Sequence, residues 1–282
     1  MQLIKPKLQG KAFLDDVKSA PAGKNEFYMW WLGQSGYLIQ WDGKFILLDP
    51  YISDSLTRKY AATEKPHVRM TELVIRPEDL DFIEVVTSSH NHTDHLDGET
   101  LIPLIEKNPD MKMIIPEANR AFVANRIKMP EGFPIGLTDG ESIEINGFKF
   151  SAVPAAHEDL ARDEKGNYHY LGYLIQFGDF TIYHSGDTLI YEGMVEKLSA
   201  FDIDVALLPI NGRDPKRKVA GNLNSEQAVW LGKEIGANVV IPCHYDMFTF
   251  NTADPKDFKV IAQKEEVGYK VLEGGERFVY KY

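Results

Sequence analysis

Short runs of hydrophobic residues, closed by glycine- or asparagine-containing turns, recur along the 282-residue chain. Residues 27–32, 36–41 and 44–48 predict three strands in quick succession, with Asp42-Gly43 as a hairpin turn. Further strands are expected at 82–87, 113–115, 142–145, 148–153, 170–177 and 181–184, with turns at Asn146-Gly147 and Gly178-Asp179. Later strands are expected at 205–208, 239–241, 269–272 and 277–280. Helical spacing appears at 11–19, at 98–107 with Asp97 as N-cap, and at 117–127 behind Pro116. It returns at 190–198, 225–235 and 255–266, where helices and strands alternate as in α/β units. Residues 50–80 are polar and irregular, a length of loop that points to function. No linker or repeat divides the chain, so a single α/β domain over 1–282 is expected, opening with an arm at 1–26.

Composition narrows the classes. The hydrophobic content of 44% suffices for a sizeable core. The formal charge of -11 argues against general nucleic-acid binding. With one cysteine, Cys243, no intrachain disulfide can form, which suits a reducing compartment. No signal-like segment is seen, and no apolar stretch approaches the ~20 residues of a spanning helix, so the expectation is a cytoplasmic protein without membrane contact.

The densest chemistry lies at residues 90–95, His-Asn-His-Thr-Asp-His, at the exit of the strand expected at 82–87. If the chain stays extended, His90, His92 and Asp94 share a face and His95 turns away. That would present two ligands to one ion and two to a neighbour. Three other polar residues also follow strand ends: His157 after Pro154-Ala155-Ala156, Asp187 in His184-Ser185-Gly186-Asp187-Thr188, and His244 in Pro242-Cys243-His244-Tyr245. The ends of neighbouring strands converge on one rim of a sheet, where sites of such folds form. Each of these three would by itself read as a satisfied buried polar group, and only the set points to metal. His184 reads as a packing or supporting residue, His67 and His169 as loop residues, and Cys243 as a buried thiol facing away from the site.

With these motifs in order, the chain resembles the metallo-β-lactamase superfamily. The segments Trp30–Gly36, Asp49-Pro50-Tyr51, 154–158, 183–188 and Asn211-Gly212-Arg213 are similar to its L-ascorbate-6-phosphate lactonase-like branch. The resemblance covers roughly 27–280 and implies a four-layer αβ/βα sandwich with a dinuclear site along one edge. It implies that His90, His92 and His157 hold a first divalent ion, that Asp94, His95 and His244 hold a second, and that Asp187 bridges them. Glyoxalase-II-like members carry Pro-Gly-His-Thr where this chain has Ala155-Ala156-His157-Glu158, which turns the expectation away from thioesters. Flavodiiron-type members carry Glu where this chain has His92, and the imidazole favours zinc, with manganese as the other candidate.

The expected activity is therefore hydrolysis by a hydroxide shared between two metal ions, on a small anionic lactone or ester, with Asp94 also serving catalysis. A phosphodiesterase of phospholipase-D type is the alternative on the same metals. A metal-stabilised binding protein is a third reading, which would require a closed coordination sphere. Arg213, Lys216, Arg217 and Lys218 form the densest positive cluster in an acidic chain. Arg213 is the expected anion-binding residue, with Asn211 and Arg217 beside it. The lactonases of the resemblance assemble, which points to a homo-oligomer.

Overall fold

The computed structural model describes residues 2–282. Two sheets pack face to face. The first runs in the order β13 (Arg277–Lys281), β1 (Glu26–Gly33), β2 (Gly36–Trp41), β3 (Lys44–Leu48), β4 (Val85–Thr87), β5 (Lys112–Pro116) and β6 (Ile135–Leu137). The second runs β12 (Val239–Cys243), β11 (Val205–Pro209), β10 (Phe180–His184), β9 (Leu171–Phe177), β8 (Phe148–Pro154) and β7 (Ser142–Ile145). In each sheet hairpin-linked antiparallel strands give way to parallel ones, from β3 to β6 in the first and from β10 to β12 in the second. The hairpins turn where the sequence places them. Asp42-Gly43 and Asn146-Gly147 both take positive φ at both positions, the geometry that matches strand twist.

Period-two alternation decides which side chains meet which layer. Along β1, Phe27, Met29 and Trp31 enter the core between the sheets, whereas Tyr28, Trp30 and Leu32 face outward. The outward set is covered by α1 (Gly10–Ser19) through Phe13 and Val17, by α3 (Gly98–Lys107) through Leu101 and Leu104, and by α4 (Arg120–Ile127) through Val123 and Ile127. On the other side α6 (Ser225–Glu234) and α7 (Pro255–Lys264) cover the second sheet with Ala228, Leu231, Phe258 and Ala262. The order helix, sheet, sheet, helix is the four-layer sandwich. Among the described residues no helix is long and apolar enough to cross a membrane.

Departures from the expected elements have local causes. The strand expected at 82–87 begins only at Val85, because the Ile83 N–H is taken by Asn108 Oδ1 at 2.8 Å. The helix expected at 190–198 shortens to α5 (Met194–Leu198), since Gly193 holds φ +82 just before it. The strand expected at 269–272 reduces to a single bridge between Tyr269 and Val240. The helix expected at 117–127 starts as a 3-10 turn over Glu117–Asn119, where Asn119 Nδ2 donates to the His169 carbonyl at 2.8 Å. The 50–80 segment contains α2 (Ser55–Tyr60), whose sole buried residue, Leu56, offers no periodicity to read.

One rim of the sandwich collects the ends of β3, β4, β8, β10, β11 and β12. Bonds between the sheets stitch this rim together. Leu171 N–H donates to Ser89 O at 3.0 Å, Tyr173 Oη to Ser88 O at 3.0 Å, and His244 N–H to Gln34 O at 3.1 Å. The opposite end is held by aromatic packing, with the Phe177 ring against Phe27, Trp41, Phe148 and Phe180 at 5.0–5.8 Å. Phe177→Ala is therefore expected to cost about 3–5 kcal/mol in urea unfolding while leaving the chemistry of the far rim unchanged.

Candidate metal centre

The four polar residues at 90–95 do not lie along an extended strand. After Thr87 the chain bends, and the His95 and Leu96 N–H groups both donate to the His92 carbonyl, at 3.1 and 2.8 Å. This turn corrects the expectation of a shared face for His90, His92 and Asp94. It leaves His90 and His92 on one side and sends Asp94 and His95 to the other.

Residues from the second sheet complete two groups. His90 and His92 meet His157, which follows β8. Asp94 and His95 meet Asp187, from the loop after β10, and His244, from the end of β12. Within each group the ligand atoms lie within 4.8 Å of one another. The Asp187 carboxylate stands between the groups: Oδ1 is 3.3 Å from His95 Nε2, and Oδ2 is 3.5 Å from His244 Nε2 and 3.7 Å from His157 Nε2. Gly186 carries it there at φ +59, with no room for a side chain, since a Cβ would lie 2.6 Å from Ser89 Cβ.

The outer nitrogens of three of these imidazoles are tied down, while His244 Nδ1 is buried without a partner among the described residues. His95 Nδ1 faces Asp49 Oδ2 at 2.8 Å, His90 Nδ1 faces Ser89 Oγ at 3.0 Å, and His157 Nδ1 donates to Gly221 O at 2.9 Å. The inner atoms are not satisfied: His90 Nε2, His95 Nε2 and Asp187 Oδ1 are buried without a hydrogen-bond partner. Buried polar atoms are nearly always paired, so convergent orphans at one point call for a guest that accepts lone pairs. A set of imidazole nitrogens and carboxylate oxygens, with the outer nitrogens of His90, His95 and His157 fixed, fits a divalent cation such as zinc.

Titration behaviour agrees with charge awaiting a counter-charge. Burial, then the neighbouring His95 and His92 rings, pushes His90 well below the usual imidazole range. Burial and the His157 ring bring His92 to about 4. Burial opposes charge on His95 and His244 as well, yet Asp187 and Asp94 hold His95 well above its usual value and His244 at about 9. The two carboxylates are held well below theirs by the same imidazoles, against burial.

Above the two groups opens a cleft of about 420 Å³, floored by His92, Asp94, His157, Asp187 and His244. Its walls bring Leu56, Tyr60 and His67 from the 50–80 segment, Phe122 and Arg126 from α4, and Val219 and Ala220 from the 212–221 loop. The long irregular loop thus reaches the site, and His67, expected as an ordinary loop residue, lines it with Nδ1 on Lys65 O at 2.8 Å. The cations that line the cleft are Lys59, Lys65 and Arg126. Lys59 Nζ donates to Thr93 Oγ1 at 3.0 Å, Lys65 to Lys218 O, and Arg126 to Asn91 O at 2.7 Å, so none of the three has a carboxylate partner among the described residues.

The anion-binding residues expected from the sequence lie elsewhere. Arg213 is paired with Glu158 Oε2 at 2.6 Å and does not line the cleft. Arg217 donates to Asn251 Oδ1 at 2.7 Å and to Asn211 O at 2.9 Å, and Asn211 Nδ2 donates to Asn251 Oδ1 at 3.0 Å. These two support Asn251, which does line the cleft. Local positive density pointed to Arg213, but a carboxylate next to His157 neutralises it. His184 donates from Nε2 to Ser35 O at 3.0 Å, and Cys243 is buried, with its thiol pushed up by burial. Two supporting residues had no sequence signal beyond their motifs. Asp49 accepts the Ser89 N–H and Thr87 Oγ1, both at 3.0 Å, beside His95, and Gln34 Nε2 donates to Asp94 Oδ2 at 2.9 Å.

Two outcomes are expected. Asp49→Ala removes the partner that orients His95 and should weaken metal affinity about 10–100-fold, read by chelator competition. Because the neighbouring carboxylates raise the affinity of His95 and His244 for protons, metal binding competes with protonation there, and affinity should rise as pH goes from 7 to 9. Titration calorimetry in buffers of different ionisation enthalpy should show proton release; none would contradict this electrostatic account.

A family model described as the β-lactamase superfamily domain matches residues 28–244. The chain is 30% identical over 248 residues to a UPF0173 metal-dependent hydrolase of Pyrococcus horikoshii, covering 87% of this chain and 96% of that one. It is 26% identical over 250 residues to the corresponding protein of Saccharolobus solfataricus, covering 87% and 96%. Its fold is similar to that of the metallo-β-lactamase fold protein YhfI of Bacillus subtilis, with a TM-score of 0.64, 15% identity and coverage of 91% and 100%. The chain belongs to the metallo-β-lactamase superfamily and, within it, to the UPF0173 metal-dependent hydrolase family.

Proposed function

We propose that the protein is a metal-dependent hydrolase of small anionic lactones or esters. The observation that carries this reading is the cluster of imidazoles and carboxylates at the floor of a cleft whose cations have no carboxylate partners among the described residues. His90, His92 and His157 would hold one divalent ion, Asp94, His95 and His244 a second, and Asp187 would serve both. Zinc is the ion best suited to this imidazole-rich set, with manganese next. Bound there, the ions would supply Lewis acidity and lower the pKa of water toward neutrality.

The chain's own groups supply the rest. Asp94 is 18% exposed, the carboxylate of its group most open to the cleft, and Gln34 fixes one of its oxygens. An ionised carboxylate so placed can take a proton from the attacking water and return it to the leaving oxygen. Lys59 and Lys65 raise the local concentration of an anion in an otherwise acidic protein. Leu56, Tyr60, Phe122, Val219 and Ala220 add an apolar wall beside these cations. The lactone preference rests on the likeness of the Trp30–Gly36, Asp49–Tyr51 and 183–188 segments to the ascorbate-6-phosphate lactonase-like branch.

A panel of lactones, carboxylic esters and a phosphodiester, assayed on protein of known metal content, tests the reading. Turnover of an anionic lactone or ester, lost on chelation and lost together with bound metal in His90→Ala, is expected. Turnover confined to the phosphodiester would replace it with the phosphodiesterase alternative. Lys59→Gln and Lys65→Gln should each raise KM for the anionic substrate several-fold with little change in kcat, and the effect should shrink at high salt.

A further inference from the structure

The residue following His157 has an unusual backbone and an unusual set of partners. Glu158 holds φ +85, a region that side-chain-bearing residues adopt at a cost. Its carboxylate forks. Oε1 accepts the Gly221 N–H at 2.6 Å, and Oε2 accepts Arg213 Nη2 at 2.6 Å. The carbonyl of that same Gly221 accepts the His157 Nδ1–H at 2.9 Å. Gly221 lies beneath the Arg213 side chain, so that a Cβ there would come within 2.5 Å of Arg213 Cγ. Its two preceding residues, Val219 and Ala220, form part of the cleft wall.

Stability does not explain this arrangement. Arg213 and Glu158 are exposed, with side chains 56% and 36% accessible, and ion pairs of that kind contribute little to folding. Strain kept at an exposed position calls for something that the strained residue holds in place. What it holds is the carbonyl that sets one ring of the metal-binding cluster.

We propose that Glu158 is a positioning residue for the metal centre. Its carboxylate clamps Gly221 and Arg213 together, the Gly221 carbonyl fixes the His157 ring, and His157 Nε2 is thereby kept toward His90, His92 and Asp187. This rests on the reading of the cluster as a metal centre. The clamp gives Arg213 a role that is not anion binding. It also links the cleft wall to a ligand: displacing Val219 and Ala220 draws Gly221 away from His157, and a bound ion resists that displacement by the same free energy.

Glu158→Gly separates positioning from plain structural support, because it removes the carboxylate and relieves the left-handed backbone together. Zn2+ affinity is measured by competition with a chromophoric chelator, and Tm is measured on the metal-free protein. The expected result is a Tm equal to or above that of the parent, with Zn2+ affinity at least threefold and about tenfold lower, as for other partners of ligating imidazoles. Arg213→Gln, which leaves the backbone alone, should weaken Zn2+ in the same direction, and Arg213→Lys should recover part of the loss. Zn2+ affinities within threefold of the parent in both Glu158→Gly and Arg213→Gln would overturn the proposal. So would a loss confined to Glu158→Gly and accompanied by a lower Tm, which is the mark of structural support alone. A parent that binds no Zn2+ would instead remove the metal-centre reading, and the proposal with it.

Discussion

Everything at the active rim follows from one electrostatic constraint. The fold gathers five imidazoles and two carboxylates side by side, all of them buried except His92 and Asp94, and leaves several of their inner atoms without partners among the described residues. Such a cluster is costly by itself, because unpaired polar groups and confined charges lose hydration without compensation. The supporting residues make it tenable by fixing the outer nitrogens of His90, His95 and His157 and so giving those three rings one orientation. Two carboxylates set among imidazoles then await a cation that competes with protons for the same atoms.

The architecture delivers the groups to that point. Parallel strands in both sheets run toward the same rim, so the residues just past β4, β8, β10 and β12 arrive together although they lie far apart in sequence. The inter-sheet bonds at Ser88, Ser89 and Gln34 hold the two rims in register, while aromatic packing around Phe177 holds the other end. The site thus stands on strand ends, and the loops 50–80 and 212–221 build walls above it. A floor set by strand ends beneath walls made of loops is an arrangement in which the walls can differ while the chemistry stays.

Much of this was legible in the residues themselves. Alternation and turn chemistry placed β1 to β3 and β7 to β10 within a residue or two, because there the local signals and the final packing agree. His90 to His95 could be read as a ligand cluster because so many imidazoles in six residues have no packing explanation. His157, Asp187 and His244 could be added because each follows a strand. The partition of 90–95 into His90 with His92 and Asp94 with His95 came from the family resemblance; alternation alone put His90, His92 and Asp94 on one face, and missed the turn closed by the His92 carbonyl. The cleft cations were missed because Lys59 and Lys65 lie in a segment without a pattern and nothing local ties Arg126, on an expected helix, to the rim, whereas Arg213 drew notice through local charge density that Glu158 cancels. Pairing across 55 residues is a property of the folded chain, and no window on the sequence contains it.

The most direct test of the central claim, that this cluster is a two-ion centre, is an anomalous-difference map at the zinc edge from crystals grown with Zn2+. The account predicts two peaks about 3.5–4 Å apart on either side of the Asp187 carboxylate, one among His90, His92 and His157 and one among Asp94, His95 and His244. No peak there, or ions held only at other sites, would contradict it.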